Sequence, residues 1–267
     1  MAVNVNTVYQ TVLLILNKEQ RGYMTPTEFN NVATQVQLEI FEKYFEDLNQ
    51  QVRVPQTNTD YANRPENIDE KMSIFRTSGK CSYNISGRFF NLPTVDFSGN
   101  TISSTQNSPD ESGFYMLGNV VLNNETEFQR VDRTTFYYTN KSGLTKPSKY
   151  FPIYLLESNR IFVRPADITS NVSVDFIRKP KSVVWGFNPG TLGQYVWNKT
   201  TYSTSNPTGS ISFELHESEQ TDIVMKILLY AGIIIRDPQI VQAAASQVQA
   251  EEVNEQSKIN YANNKYS

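Results

Sequence analysis

The chain contains very little cysteine and histidine. Its 267 residues include one of each, Cys81 and His216. Metal sites and most nucleophilic catalytic sites need several such side chains to converge, so we expect a protein that is not an enzyme and that uses no metal or other cofactor. A lone cysteine cannot form an intramolecular disulfide, which fits a reducing compartment. We interpret Cys81 as a buried core residue and His216 as a polar residue near the start of a helix.

The sequence also lacks a strong net charge and a long apolar run. It has 24 Lys and Arg against 27 Asp and Glu, a formal charge of −3, which disfavours a dedicated nucleic-acid reader. Its most apolar stretch, 223–235, includes Lys226 and is shorter than the ~20 residues that span a bilayer. The amino terminus has no basic segment ahead of an apolar one, so no secretory signal is predicted. We therefore expect no membrane contact and a chain that stays in the cytoplasm where it is made.

Residues 1–79 are predicted to form a helical segment followed by a connector. Apolar residues spaced by three and four predict a short first helix, and Thr25-Pro26-Thr27-Glu28 is a capping box with proline at the first helical position. The second helix should then run to about residue 50, and a short third helix should follow Pro65. The apolar stripes are Val8, Val12, Ile15 and Leu16 in the first helix; Phe29, Ala33, Val36, Ile40, Tyr44 and Leu48 in the second; Ile68, Met72 and Phe75 in the third.

Residues 80–217 show the alternating, β-branched and aromatic pattern of antiparallel strands. A hairpin is predicted over 155–162, with residues 157–160 as its turn, and a long polar loop over 91–112. These features predict a β-rich domain folded as a sandwich or small barrel. The predicted strands are 81–90, 115–122, 127–139, 153–156, 160–164, 172–178, 195–202 and 210–216.

Residues 218–267 return to helical periodicity. Ile223, Ile227 and Tyr230 belong to a helix that is apolar around most of its girth, which is typical of a core helix. Asp237-Pro238 should end it and begin a last, thinly striped helix reaching about residue 258. The predicted fold class is α+β: an N-terminal helical hairpin and the C-terminal helices packed with a central antiparallel β-sandwich or small barrel.

Charge is distributed unevenly along the chain. Residues 26–50 carry five acidic side chains against one basic, 237–258 carry four against one, and 141–181 carry eight basic against three acidic. One interpretation is scattered solvated charge. The other is that the acidic helices of one subunit meet the basic β surface of the next, a head-to-tail contact that can close into a ring. The candidate interface residues are Glu39, Glu42, Glu46, Lys146, Lys149, Arg160, Arg164, Glu251 and Glu252.

Two terminal blocks carry a family resemblance. The first comprises Val8-Tyr9-Gln10, Asn17-Lys18-Glu19-Gln20-Arg21-Gly22-Tyr23, Thr25-Pro26-x-Glu28-Phe29-Asn30 and Gln37-Leu38-Glu39-Ile40-Phe41-Glu42-Lys43-Tyr44-Phe45. The second comprises Phe213-Glu214-Leu215-His216-Glu217-Ser218-Glu219, Ile227-Leu228-Leu229-Tyr230-Ala231-Gly232-Ile233-Ile234-Ile235 and Asp237-Pro238. Together they cover less than half of the chain. They resemble virion structural proteins of the crAss-like tailed bacteriophages.

The resemblance implies a ring protein of the neck or short tail. Its copies, twelve by analogy with the portal, would stack below the portal and form the channel through which DNA leaves the capsid. It further implies contacts with the portal and adjacent ring proteins, transient and sequence-independent passage of double-stranded DNA, synthesis in the host cytoplasm and a final place in the virion. We expect acidic helices to line or border the channel, because they repel the phosphate backbone.

Two other classes of function remain open at this point. A carbohydrate-binding or receptor-binding β-module of a tail fibre or baseplate would use Trp185 and Trp197 to stack on sugars, although aromatic residues in strands more often serve packing. A wall-degrading hydrolase would use His216 as a general base.

Overall fold

The structure, a computed structural model, describes residues 2–18, 23–52, 64–103, 108–141 and 143–235, with 242, 246, 249, 250 and 253. Its helices are α1 (Val5–Lys18), α2 (Pro26–Val52), α3 (Arg64–Ser73), α4 (Arg133–Lys141) and α5 (Gln220–Ile235). Its strands are β1 (Arg76–Lys80), β2 (Ser82–Asn84), β3 (Phe89–Asn91), β4 (Ile102–Ser103), β5 (Ser112–Leu122), β6 (Thr126–Glu127), β7 (Gln129–Arg130), β8 (Ile153–Glu157), β9 (Arg160–Arg164), β10 (Val172–Arg178), β11 (Phe187–Pro189) and β12 (Tyr195–Trp197). The α+β class is therefore confirmed.

The chain divides into two compact units. The helical unit comprises Met1–Ile74 with Pro180–Ser267, and the β unit comprises Phe75–Lys179. The predicted β-rich domain, 80–217, thus extends further along the chain than the β unit does. Residues 180–217 belong to the helical unit, and side chains of α2 bond main-chain groups in 181–185 and at Glu214.

In the helical unit most residues of the predicted apolar stripes face the core, but Ile15 of α1 is 36% exposed, and the side chain of Leu48 lies outside the described residues. Val8, Val12 and Leu16 of α1 are fully buried, and so are Phe29 and Val36 of α2. The capping box forms as predicted, since the Thr25 N–H donates to Glu28 Oε2 at 2.9 Å and the Glu28 N–H donates to Thr25 Oγ1 at 3.4 Å. Helix α5 buries Ile223, Ile227 and Ala231. The predicted last helix, 238–258, lies almost wholly outside the described residues.

The β unit contains two sheets with a common core. One has the order β1-β10-β5-β4 with β6 beside β5, and the other has the order β2-β3-β9-β8-β7. Neighbours are antiparallel except for the β4–β5 and β7–β8 pairs, which are parallel. Val120 and Val174 of the first sheet belong to the same buried cluster as Phe90 and Ile161 of the second. Two sheets that contribute inner faces to one core make a sandwich, and the predicted hairpin forms from β8 and β9.

The strand predicted over 127–139 is wrong in its second half, which is helix α4. Asp132 caps this helix, because its Oδ2 accepts the N–H groups of Thr134 at 3.1 Å and Thr135 at 3.3 Å. Only Phe136 is buried, so the run of β-branched and aromatic residues packs by one side. The strand predicted over 81–90 is two strands, β2 and β3, and 210–216 forms isolated bridges only.

Candidate interaction surfaces and pocket

The acidic candidates on α2 fall into two groups. Glu39 is half-buried and already engaged: its Oε2 lies 3.3 Å from Lys226 Nζ, and its Oε1 accepts the Tyr230 hydroxyl. This hydrogen bond raises the pKa of Tyr230 to about 12, with burial adding to the shift. Glu42 and Glu46 are exposed. Glu39 therefore joins α2 to α5, while the other two leave an acidic outer face; Glu251 and Glu252 lie outside the described residues.

The basic candidates lie in the β unit. Arg160 and Arg164 alternate along β9 with the buried Ile161 and Val163, so both arginines lie on the outer face of their sheet. Each stacks on a ring there: the Arg160 guanidinium carbon is 4.7 Å from the centroid of Phe89, and that of Arg164 is 5.1 Å from the centroid of Phe136. Their aliphatic and cationic parts are thus used partly for packing.

Helix α4 covers part of this outer face. Phe136 packs with Ile153 and Leu155 of β8, and Phe162 of β9 closes the small cluster. An ion pair between Arg133 Nε and Glu157 Oε1, 3.6 Å apart, lies at its edge. The small cluster around Phe136 fixes α4 on the sheet, so the remaining side of the helix is directed to solvent.

Residues 137–141 and 143–151 present an aromatic and basic surface, and we call the segment 137–151 the aromatic–basic segment. Five large side chains in it are between 54% and 95% exposed, and no acidic residue occurs from 133 to 156. Lys141, Lys146 and Lys149 are exposed among them. Exposed apolar groups concentrated in this way mark interaction sites. The five are Tyr137, Tyr138, Leu144, Tyr150 and Phe151.

In the helical unit, a row of polar side chains on α2 holds the extended segment 181–185. Asn30 Oδ1 accepts the N–H of Trp185 at 2.7 Å, and Thr34 Oγ1 accepts the N–H of Val183 at 3.1 Å. Gln37, which is fully buried, donates from Nε2 to the Lys181 carbonyl at 2.7 Å. Positions 30, 34 and 37 share one helix face. The helix therefore bonds the main chain at alternate residues, as a neighbouring strand would.

This polar row positions Trp185 in the floor of a pocket of about 490 Å³ in the helical unit. Trp185 and Tyr9 are buried with their ring centroids 4.5 Å apart, while Tyr23 and Tyr195 are about half exposed. Burial of the Tyr9 hydroxyl raises the pKa of this residue well above its usual value. The lining consists of Asn6, Tyr9, Gln10, Leu13, Tyr23, Trp185, Gly193, Gln194, Tyr195 and Trp197.

Hydrogen bonds hold the pocket's rings in place. The indole N–H of Trp185 donates to Asn6 Oδ1 at 3.0 Å, that of Trp197 donates to Ser210 Oγ at 3.1 Å, and the Tyr9 hydroxyl donates to the Met24 carbonyl at 3.1 Å. Strands β11 and β12 pair Phe187 with Trp197. The two tryptophans singled out in the sequence therefore line one site, and their polar edges are satisfied internally.

The two residues considered for chemistry have structural places. Cys81 is buried in the β-unit core, and burial raises its thiol pKa to about 12. His216 caps the short 3₁₀ helix Glu217–Glu219, with its Nδ1 accepting the Ser218 N–H at 3.2 Å. Both interpretations of these residues are confirmed. Within the described ranges, no cluster of His, Cys, Asp and Glu could hold a metal ion, and no helix is both long and apolar enough to cross a membrane.

Comparison with known proteins adds no family assignment. No protein-family model matches the chain, and no curated protein matches it.

Sequence reasoning missed two sets of residues. The exposed aromatic residues of the aromatic–basic segment were assigned in part to a strand, although their position in a run without acidic residues was visible. The polar row of Asn30, Thr34 and Gln37 lies beside the apolar stripe of α2. The row could have been recognised in the sequence, because polar residues that recur with helical spacing on a buried face need hydrogen-bond partners.

Proposed function

We propose that this chain is a structural virion protein that forms a homo-oligomeric ring in the neck or short tail of a tailed bacteriophage. The ring lies below the portal, contacts the portal and adjacent ring proteins, and borders the channel for DNA. The observation that carries the proposal is the aromatic–basic segment, which combines exposed aromatic side chains with lysines and contains no acidic residue. The resemblance of the two terminal blocks supplies the location in the virion and the expected twelve copies.

The partner of this segment is a second copy of the chain. Its aromatic side chains supply the apolar area of an interface, and Lys141, Lys146 and Lys149 select an acidic surface. The exposed face of α2, with Glu42 and Glu46, is such a surface in the same chain. Two different patches that recognise each other make a head-to-tail contact, and identical head-to-tail contacts close into a ring when the rotation per copy permits.

The position of the protein is tested on mature particles. We expect mass spectrometry to find the chain in purified virions and electron cryomicroscopy to show it as a closed ring below the portal, with twelve copies. Absence of the chain from mature particles would contradict the proposal. A position in a fibre or baseplate would contradict it as well.

The interface is tested by charge reversal. We expect the double variant Lys146→Glu, Lys149→Glu to lose ring assembly in native mass spectrometry and in class averages, or incorporation into particles if the isolated chain stays monomeric. Adding Glu42→Lys and Glu46→Lys should restore assembly, because both sides then carry the opposite charge. Lys199→Glu, at another exposed lysine, is the control and should assemble normally. Equal assembly of all four proteins would refute the interface.

A further inference from the structure

The pocket of the helical unit has an unusual composition for a surface site. Of the side chains in the part of its lining that the structure describes, five are aromatic and three are amides, and none carries a charge at neutral pH. Its volume of about 490 Å³ lies within the range of small-molecule sites, about 300–1,000 Å³. The composition therefore suits a small ligand that is neutral, partly apolar and rich in hydrogen-bonding groups.

We propose that this pocket binds a neutral saccharide. A sugar ring has apolar faces lined by C–H groups and an edge of hydroxyls, so it needs aromatic surfaces and both donors and acceptors. Tyr23, Tyr195 and Trp197 supply accessible aromatic surface. Gln10 and Gln194, both exposed at the pocket, offer an amide donor and an acceptor each.

The floor of the pocket is rigid, which favours binding. The polar edges of Tyr9, Trp185 and Trp197 are bonded within the chain, so these rings keep their orientation without a ligand. Rings that are already ordered lose little conformational freedom when a ligand binds. Further hydrogen-bonding capacity at the pocket comes from the glutamine amides and from the hydroxyl groups of Tyr23 and Tyr195.

Other ligand classes fit the lining less well. A phosphate or nucleotide is normally held by Arg, Lys or main-chain N–H groups at a helix amino terminus, and no cation is present among the described lining residues. A purely apolar ligand would leave the amides of Gln10 and Gln194 without a role. A segment of a second copy of the chain is the remaining alternative, and the experiment below separates it from a saccharide.

The inference that the pocket binds a saccharide does not depend on the proposal that the chain forms an oligomeric ring. The test uses the full chain, and tryptophan fluorescence and saturation-transfer NMR follow titrations with cellotetraose, maltotetraose, chitotetraose and mannotetraose. A sulfated heparin tetrasaccharide is the charged comparison. We expect saturable binding of at least one neutral tetrasaccharide and a shift in tryptophan emission, because both tryptophans of the chain line the pocket. The sulfated sugar should bind more weakly.

Variants on the β11–β12 hairpin locate the site. Tyr195→Ala should weaken binding about tenfold, equivalent to about 1.4 kcal/mol, whereas Tyr195→Phe keeps the ring and should bind within about threefold of the parent, about 0.7 kcal/mol. Gln194→Ala should also weaken binding and tests the site should Tyr195→Ala disturb the hairpin. Leu192→Ala is the matched control, because Leu192 is 90% exposed on the same hairpin and is not part of the lining.

Three results would overturn the inference. One is the absence of saturable binding of every neutral tetrasaccharide at concentrations up to about 10 mM. Another is binding that Leu192→Ala weakens as much as Tyr195→Ala does. The third is a pocket that another copy fills, revealed by loss of assembly in Gln194→Ala and by protection of the pocket from sugar in the assembled protein. The position of the protein in the virion changes none of these readouts, so the two proposals fail separately.

Discussion

Replacing Gln37 with methionine should destabilise the helical unit. Gln37 Nε2 donates to the Lys181 carbonyl at 2.7 Å, and Gln37 Oε1 accepts the Glu214 N–H at 2.9 Å. Methionine has a similar length but can replace neither bond. The substitution therefore keeps the packing volume and removes the donor and the acceptor that link α2 to two extended segments.

The expected loss follows from these two bonds. Removing the partner of a buried polar group costs about 1–3 kcal/mol. Lys181 and Glu214 are only half-buried, so the lower part of that range applies to each, about 2–4 kcal/mol in total. Burying a thioether instead of an amide offsets about 1 kcal/mol. We expect the free energy of unfolding to fall by about 1–3 kcal/mol, a large share of a typical 5–15 kcal/mol.

Urea unfolding followed by tryptophan fluorescence measures this loss in the right part of the molecule. The chain has two tryptophans, Trp185 and Trp197, and both belong to the helical unit. With an m-value of about 2 kcal/mol/M, a loss of 2 kcal/mol lowers the midpoint by about 1 M. Gln35→Met is the matched control, because Gln35 is exposed on the same helix and should change stability by less than about 0.5 kcal/mol.

A Gln37→Met protein as stable as its parent would refute the reasoning. It would mean that water or a rearranged main chain satisfies the Lys181 carbonyl and the Glu214 N–H without cost. A loss shared equally by Gln35→Met would instead show that methionine on α2 is destabilising for a reason unrelated to these bonds.

Three further predictions concern the β unit and the acidic face. Phe136→Ala should cost about 3–5 kcal/mol by emptying the cluster under α4, and hydrogen exchange of the α4 amides should rise, whereas Tyr137→Ala on the exposed side should leave exchange unchanged. The pKa of the Asp96 carboxyl is lowered, because hydrogen bonds from Asn100 and Thr77 outweigh the effect of its burial. The ionised carboxylate therefore stabilises the fold fully above the unfolded pKa, about 3.9, and this stabilisation is lost as the pH falls through the lower folded value. In Asp96→Asn, the free energy of unfolding should fall less between neutral and acid pH than in the parent, as measured by denaturant titrations that follow tyrosine circular dichroism. An unchanged dependence of the free energy of unfolding on pH would contradict this prediction. In the unassembled chain, where the Glu42 and Glu46 face is not covered by a second copy, the Glu42→Lys, Glu46→Lys protein should gain a salt-sensitive affinity for double-stranded DNA in fluorescence anisotropy. The parent should lack it, and equal binding by both would remove the idea that this acidic face repels DNA.

Helix positions with a clear period were predictable from the sequence because burial follows the same period. Of the four residues predicted for the first stripe, Val8, Val12 and Leu16 are fully buried and Ile15 is exposed. The Thr25–Glu28 capping box fixes the start of α2 through local bonds alone. The strand prediction over 127–139 was wrong in its second half because burial there does not follow the pattern of the sequence. The composition of this segment favours a strand, but Asp132 supplies a cap and Phe136 alone needs a buried place. One capping bond pattern and one packing contact outweigh a weak intrinsic preference.

The candidate surfaces were predictable only in part, since charge is visible in a sequence and its use is not. The excess of cations over 141–181 was apparent, but nothing in the sequence shows that Glu39 is bonded to Lys226 and Tyr230, which leaves Glu42 and Glu46 as the exposed acidic pair. The pocket was even harder to predict from the sequence. Its two tryptophans lie at one site, and α2 bonds the segment that leads to Trp185, a contact between residues far apart in the chain that no local pattern reveals.

The two units differ in whether their polar and aromatic side chains are bonded internally or exposed, and the two proposals rest on this difference. In the helical unit, polar side chains bond main-chain groups and tryptophan edges internally, so its aromatic residues form a fixed, uncharged concavity suited to a small ligand. In the β unit, Tyr150 and Phe151 are more than 80% exposed beside cations, which suits a large and charged partner. A second copy of the chain offers an acidic helix of the required kind. The assembly experiment should therefore respond to residues 137–151, and the saccharide titration to residues 194–197.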